Sequence, residues 1–150
     1  MSGCELPLTN ALDEEVARIL RQARTVAVVG FSPKPERDSH RVALYLKEQG
    51  YVVFPVNPAC SEALGGPCHP DLASVPGPVD VVDIFRKPEA IPELVDQAIA
   101  IGARCVWMQL GLAHNEAADK ARAAGLDVVM NKCILREHKR LLTRPEPAGA

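Results

Sequence analysis

The sequence predicts an α/β fold: a doubly wound, five-stranded parallel sheet with helices on both faces, folded as a single domain. Its length of 150 residues lies well below the roughly 250–300 residues at which chains usually divide into domains. Its composition, 47% hydrophobic and 24% charged, is typical of a globular protein that can bury a core. Five short, valine-rich apolar runs alternate with segments of helical periodicity, and this alternation requires βαβ units with right-handed crossovers. Together these observations indicate a Rossmann-like sheet.

Two helices and two strands are predicted in the first part of the chain. They are a helix over 10–23, a strand over 25–30, a helix over 39–49 and a strand over 51–56. In the first helix Leu12, Val16 and Ile19 fall on one face, which predicts that this face packs against the sheet. The strand TVAVVG is apolar on both faces, as buried parallel strands are. Gly50 follows the second helix as a C-cap glycine would.

The rest of the chain predicts three further strands and three further helices after a loop. Residues 57–78 are rich in Pro and Gly and predict a loop with at most one helical turn, near 71–73. The elements that follow are a strand over 79–85, a helix over 88–101, a strand over 104–110, a helix over 115–124, a strand over 126–130 and a helix over 133–142. We expect one domain over 1–150, with its core at about 10–142 and a loose tail at 143–150. For the five strands we expect the order 3-2-1-4-5.

Charge and targeting patterns argue against several classes of function. The net charge of −2 gives no general attraction to nucleic acid or to anionic membranes. The first five residues lack the basic and apolar regions of a signal peptide, and no apolar run reaches the roughly 18 residues of a membrane span. We therefore expect a cytoplasmic protein that binds neither nucleic acid nor membrane, with its five cysteines as reduced thiols. Cys60, Cys68 and His69 lie close together, but CxxC pairs are missing, and no metal site is predicted.

The turn after the first strand is the most informative candidate site. In a doubly wound sheet, ligands bind beyond the carboxyl ends of the strands, near the point where the strand order reverses. Gly30 lets the backbone approach a phosphate, Ser32 adds a hydroxyl donor, and the next helix directs its free N–H groups at the same point. Four basic side chains follow: Lys34, Arg37, His40 and Arg41. The turn predicts a phosphate-binding site; the alternative is a structural turn whose charged side chains are solvated.

This turn does not match the standard nucleotide fingerprints. GxGxxG is absent, and Pro33 and Pro35 stand where the later glycines would be. No acidic residue ends the second strand, where NAD-binding domains hold the ribose, and no Walker lysine follows a GxxxxG pattern. NAD and ATP are therefore not favoured as ligands.

The other strand ends supply one more binding candidate and little sign of catalysis. Arg86 directly follows the third predicted strand, where its guanidinium could bind phosphate through two parallel hydrogen bonds. The alternative is an exposed arginine at a strand end. Trp107 is expected to pack in the core. Cys133 could be activated by Lys132 and His138, but an inert, partly buried thiol is the simpler interpretation, and no catalytic residue is predicted.

Three blocks of sequence occur in a specific order along most of the chain. They are VAVVGFSPKPERDSHRVALYLKEQGYVVFPVNP, VDVVDIFRKPEAIPELV and VWMQLGLAHNEAADKARAAGLDVVMNKC. In this combination the chain resembles the small CoA-binding proteins related to the CoA-binding domain of the succinyl-CoA synthetase alpha subunit. The resemblance implies a Rossmann-like fold that binds coenzyme A or an acyl-CoA.

The resemblance also implies which residues contact the ligand. Gly30, Phe31 and Ser32 would hold the CoA diphosphate, and Asn57 with Pro58 would flank the adenosine end. Further positions carried over are Arg37 as a phosphate contact, Phe85 and Arg86 as lining residues, and Gln109, Gly111, Asn131 and Lys132 at the crevice without an assigned role. The family often has an acid and an arginine before the cysteine where this chain has Asn131-Lys132, so a role for that acid is not carried over.

The leading expectation is a binder of coenzyme A or acyl-CoA without catalysis. The larger relatives make or break acyl-CoA thioesters through a phosphorylated histidine in a second domain, which has no counterpart in these 150 residues. Two alternatives remain. One is a Rossmann-fold enzyme or nucleotide-binding subunit that uses another nucleotide cofactor, with Cys133 or His138 in its chemistry. The other is an interaction module that docks onto a partner subunit or forms a homo-oligomer.

Overall fold

A computed structural model describes residues 5–142 of the chain. The predictions made for the residues before Glu5 and for the tail at 143–150 fall outside the described residues. Within the described range every predicted helix and sheet strand is present, with bounds that differ by a few residues. The predicted fold class, a single α/β domain with a Rossmann-like parallel sheet, is confirmed.

Five helices and seven strands make up the described fold, along with two short 3₁₀ turns. In chain order they are α1 (Asp13–Gln22), β1 (Thr25–Val29), α2 (Asp38–Glu48), β2 (Val52–Val56), β3 (Glu62–Ala63), β4 (Gly66–Pro67), β5 (Val81–Ile84), α3 (Ile91–Ala100), β6 (Cys105–Met108), α4 (Asn115–Ala123), β7 (Asp127–Val129) and α5 (Ile134–Leu142). The 3₁₀ turns lie at Leu72–Ser74 and Pro88–Ala90. Among these helices, none combines the length and the apolar character needed to cross a membrane.

The five-stranded sheet is parallel, but its strand order differs from the expected one. The order is β2-β1-β5-β6-β7, which is 2-1-3-4-5 when only the sheet strands are counted. The expected order 3-2-1-4-5 is therefore wrong. Pro55 explains why β2 is not an inner strand: it has no N–H to donate, and it therefore favours an edge strand. The carbonyl of Pro55 points to the outer edge, where it accepts from the amide of His69 at 2.8 Å rather than from another sheet strand.

Helices cover both faces of the sheet, because each strand has apolar side chains on both sides. On one face, Ala27 and Val29 of β1 belong to the core packed by α3 and α4. On the other, Val26 and Val28 belong to the core packed by α1, α2 and α5. Trp107 of β6 is fully buried in that second core, and its indole Nε1 donates to the carbonyl of Lys132 at 2.8 Å. The predicted packing role of Trp107 is thus confirmed.

The loop after β2 holds a feature that the sequence did not predict. β3 and β4 form a short antiparallel hairpin, and the cysteines that flank it, Cys60 and Cys68, form a disulfide with their Cα atoms 5.7 Å apart. The expectation of reduced thiols is wrong for this pair, because the hairpin between them brings the two residues close together in space. The amide of Cys68 donates to the carbonyl of Ser61 at 2.9 Å. Cys105 and Cys133 are free thiols.

Candidate functional site

The candidate site lies at the carboxyl edge of the sheet, between β1 and β5. The chain leaves β1 toward β2 on one side and reaches β5 on the other, so the strand order reverses between β1 and β5. This is the position at which doubly wound sheets bind ligands. The observed order therefore brings the turn after β1 directly beside the residues that follow β5, and Gly30 lies next to Phe85 and Arg86.

Gly30 fits this position because no side chain could occupy it. Its φ is +85°, in the region that favours glycine. A Cβ atom at Gly30 would lie 2.4 Å from the carbonyl oxygen of Phe85 and 2.9 Å from Cδ of Arg86. The two strand ends thus meet at a contact that only glycine permits.

The backbone amides of this turn already donate hydrogen bonds within the protein. The sequence had predicted that amides here would be free to bind a phosphate. The amides of Gly30 and Phe31 donate to the carbonyl of Val56 at 3.0 and 3.3 Å, and that of Ser32 donates to Oγ of Ser39 at 2.9 Å. The hydroxyl of Ser32 accepts from the amide of Lys34 at 3.2 Å. A phosphate at this turn would need donors from elsewhere, or would have to displace Ser39.

Such donors are present at the amino terminus of α2. The amides of Asp38 and Ser39 have no acceptor among the described residues, and no side chain caps this end of the helix. Free amides and the positive end of the helix dipole together favour an anion. Ser39 is a residue that sequence reasoning missed; its position in the first turn of a predicted helix, next to the predicted phosphate turn, is the signal that could have found it.

Some basic side chains around the turn form hydrogen bonds, ion pairs or ring contacts within the protein, and others do not. Within residues 5–142, Arg37 and Arg86 have no hydrogen bond or ion pair through their guanidinium groups and are exposed. Arg41 is paired with Asp38 and donates to the carbonyl of Glu36 at 2.6 Å. The imidazole of His40 lies against the ring of Phe31, with centroids 5.5 Å apart. Arg37 and Arg86 are therefore the side chains best placed to neutralise a bound anion.

Three cavities that share wall residues form one groove along this edge. The first, of about 540 Å³, includes Gly30, Asn57, Pro58, Leu72, Arg86, Glu93 and Gln97 in its lining. The second, of about 670 Å³, includes Val42, Phe85, Arg86, Gln109, Cys133 and Arg136. The third, of about 290 Å³, lies between them and is lined by Gly30, Ser32, Arg37, Asp38, Ser39 and Phe85. Arg86 lines both the first and the second cavity. Gly30 lines the first and the third, and Phe85 lines the second and the third.

Most of the residues predicted from the sequence line this groove, but Phe31, Gly111, Asn131 and Lys132 do not. The lining ones are Gly30, Ser32, Arg37, Asn57, Pro58, Phe85, Arg86 and Gln109. The ring of Phe31 is fully buried beneath the turn, and its carbonyl accepts from Nδ2 of Asn57 at 2.6 Å. Lys132 lines none of the three cavities. Gln109 is mostly buried, and its Oε1 accepts from the amide of Ile134 at 3.1 Å, which satisfies the first turn of α5.

The residues considered for catalysis do not form a constellation in the described part of the chain. Cys133 lines the second cavity, whereas His138 is buried and its Nδ1 lies 2.8 Å from the hydroxyl of Tyr45. Burial lowers the pKa of His138, so the neutral imidazole is favoured. Asp83 is fully buried in β5, and among the described residues neither of its carboxylate oxygens has a hydrogen-bond partner. Burial raises the pKa of Asp83 well above its usual range.

Comparison with known proteins gives a consistent set of relatives. The family described as CoA binding domain matches residues 24–139. The chain is 35% identical over 131 residues to the uncharacterized protein YneT of Bacillus subtilis, a match that covers 87% of this chain and 97% of that protein. It superposes on a hypothetical protein from Pyrococcus horikoshii with a TM-score of 0.86 and 46% identity, over 92% of this chain and 97% of the other.

A more distant match links the chain to a larger enzyme. It is 25% identical over 121 residues to the ADP-forming acetate–CoA ligase I of Archaeoglobus fulgidus. This match covers 74% of the chain but 18% of the ligase. The similarity therefore involves one part of that enzyme.

Proposed function

The chain belongs to the CoA-binding domain family, and on that premise we propose that it binds coenzyme A or an acyl-CoA in the groove between β1 and β5. The observation that carries the proposal is the third cavity, which is lined by the amides of Asp38 and Ser39 and the guanidinium of Arg37, groups that have no partner within residues 5–142. Amides at a helix start and a free arginine are the groups that hold a diphosphate in proteins.

The two flanking cavities suit the two ends of this ligand. Under the proposal, the adenosine lies in the first cavity, where Val29, Val56 and Leu72 supply an apolar floor and Asn57 with Pro58 form a wall. The pantetheine arm, with any acyl group, then extends past Arg86 into the second cavity beside Phe85 and Gln109. Both cavities combine apolar side chains with charged and polar ones, as a ligand with an apolar arm and phosphates requires.

The protein acts in this proposal by binding, without a reaction of its own. The free thiol of Cys133 lines the second cavity, and the buried His138 is hydrogen-bonded to Tyr45 instead of to that thiol. A general base must be within hydrogen-bond reach of the group it activates, which this arrangement does not provide.

Calorimetric titration with coenzyme A tests the proposal. We expect binding in the micromolar range or tighter, and a loss of about tenfold in affinity for Arg37→Gln and for Arg86→Gln, because each change removes a charge-assisted contact to phosphate. Arg21→Gln is the matched control: Arg21 lines a cavity at the opposite edge of the sheet, beside Gly50 and Tyr51, and its loss lowers the net charge equally. An equal loss of affinity in all three variants, or no binding by the unmodified protein, would contradict the proposal.

A further inference from the structure

The disulfide between Cys60 and Cys68 lies at the base of the hairpin whose two flanking segments lead to the first cavity. Pro58 lies two residues before Cys60, and Pro70 lies two residues after Cys68; both prolines line the cavity. The disulfide holds the two cysteine Cα atoms 5.7 Å apart. It thereby fixes the separation of the two chain segments that form this wall.

The hairpin has few hydrogen bonds of its own, although Cys68 belongs to the second core and Cys60, Ala63 and Leu64 pack against that core. β3 and β4 contain two residues each, and a two-stranded hairpin is at best marginally stable in water. Near its base, the amide of Cys60 donates to the carbonyl of Asn57 at 3.1 Å, and the amide of Cys68 donates to Ser61. At its tip, the ammonium group of Lys47 donates to the carbonyl of Leu64. Opening the disulfide therefore removes a covalent constraint on the wall, while the backbone hydrogen bonds of His69 with Pro55 and Asn57 remain.

The same wall is hydrogen-bonded to the turn at the centre of the groove. The amide of Asn57 donates to the carbonyl of His69 at 2.8 Å, so the two sides of the loop meet at Asn57. The side chain of Asn57 donates in turn to the carbonyl of Phe31 at 2.6 Å. Asn57 therefore links the wall to Phe31, the residue that follows Gly30.

We propose that Cys60 and Cys68 form a thiol–disulfide switch that sets the affinity of the groove for its ligand. In the oxidised form the wall is preorganised, and binding does not have to pay for ordering it. A dithiol reductant breaks the S–S bond: it delivers two electrons and two protons, Cys60 and Cys68 become thiols, and the reductant becomes a disulfide. Cys60 is only half-buried, which gives a small dithiol access to the bond. This inference rests on the proposed function, since it concerns the same groove.

Titration of the oxidised and the reduced protein with acetyl-CoA tests the switch. Acetyl-CoA has no free thiol and cannot exchange with the disulfide. We expect the oxidised protein to bind about fivefold more tightly than protein reduced with dithiothreitol, because the reduced wall must be ordered on binding. The Cys60→Ser/Cys68→Ser double variant should bind like the reduced protein under both conditions. Cys133→Ser, which removes the free thiol of the second cavity, should retain the difference. Equal affinities in the two redox states would overturn the inference.

Hydrogen exchange without ligand separates this inference from the proposed function. The amides of Asn57, Cys68 and His69 are hydrogen-bonded within the wall, and we expect all three to exchange faster after reduction. Unchanged exchange at these amides overturns the switch even if the protein binds acetyl-CoA. Faster exchange supports the structural part of the switch. Failure of both redox forms to bind acetyl-CoA overturns the proposed function, and with it the effect on affinity.

Discussion

At the scale of single residues, the absence of a Cβ atom at Gly30 matters for both the fold and the candidate site, because the turn after β1 and the end of β5 meet there. Gly30→Ala would place a Cβ 2.4 Å from the Phe85 carbonyl oxygen, at a φ of +85° that L-residues avoid. Gly50→Ala is the matched control, because Gly50 also has a positive φ, of +100°, but has no atom within 4 Å of the added Cβ.

We expect Gly50→Ala to cost about 1 kcal/mol of unfolding free energy, from backbone strain alone. Gly30→Ala should cost about 3 kcal/mol, because overpacking against the Phe85 carbonyl adds to that strain. Urea denaturation of the two variants measures both values. Equal losses would show that Gly30 and the end of β5 do not approach each other as closely as described.

Asp83 is fully buried, and burial disfavours the charged form of its carboxyl group. Burial raises its pKa, so the folded state holds the proton more tightly than the unfolded chain does. Above the ordinary aspartate pKa of about 4, folding stability is therefore lost as the pH rises toward the raised value. The lowered pKa of His138 acts in the other direction, costing stability as the pH falls, and a comparison of two variants that both retain His138 cancels it.

Asp83→Asn, which mimics the protonated acid, should be more stable than the unmodified protein at neutral pH. The difference in unfolding free energy between the two proteins should grow with pH above about 4, with a slope of up to about 1.4 kcal/mol per pH unit. Denaturation series at several pH values measure this slope. A difference that does not change with pH would mean that Asp83 ionises in the folded protein as easily as in the unfolded chain.

At the scale of elements, the amino terminus of α2 combines free amides with a carboxylate. Asp38 lines the third cavity, is paired with Arg41 three residues later and keeps its side chain 78% exposed. Asp119 of α4 is paired with Arg122 at the same spacing, with a side chain 80% exposed, and lines none of the groove cavities. The two acids share this pairing and exposure, but only Asp38 lies beside the proposed phosphates, in the first turn of its helix.

Asp38→Asn should raise the affinity for coenzyme A by about threefold, because it removes a negative charge beside the diphosphate and releases Arg41. The gain should shrink as salt is added, since the acid is exposed and its charge is screened. Asp119→Asn should leave the affinity unchanged. If Asp38→Asn binds no more tightly than Asp119→Asn at low salt, the diphosphate is not at this helix terminus.

Helices and strands were predictable from the sequence because their patterns are local. The apolar faces of α1 and α2 repeat at the helical period, and β1 and β6 are continuous apolar runs, so each could be identified without knowledge of its neighbours. The hairpin at Cys60 to Cys68 was not predictable in this way. Its strands have two residues each, too few to show a period of two.

At the scale of the whole molecule, strand order and hydrogen-bond partners were the parts that sequence patterns could not supply. Pro55 favours an edge position for β2, a signal that the expected order 3-2-1-4-5 did not use, and only pairing between distant segments places β5 beside β1. Likewise, Gly30 and Ser32 were identified as candidate site residues, whereas the use of their amides by Val56 and Ser39 depends on contacts with other elements. The position of the groove could be predicted from the fold class. Which hydrogen-bond donors face the groove could not be predicted from it.

The proposed function depends above all on a diphosphate bound between β1 and β5, at the start of α2. A crystal structure of the protein with coenzyme A would show whether it binds there. We expect diphosphate oxygens within hydrogen-bond distance of the amides of Asp38 and Ser39, with the Arg86 guanidinium alongside and the adenine next to Pro58. Coenzyme A bound elsewhere on the molecule, with the amides of Asp38 and Ser39 facing only solvent, would contradict it.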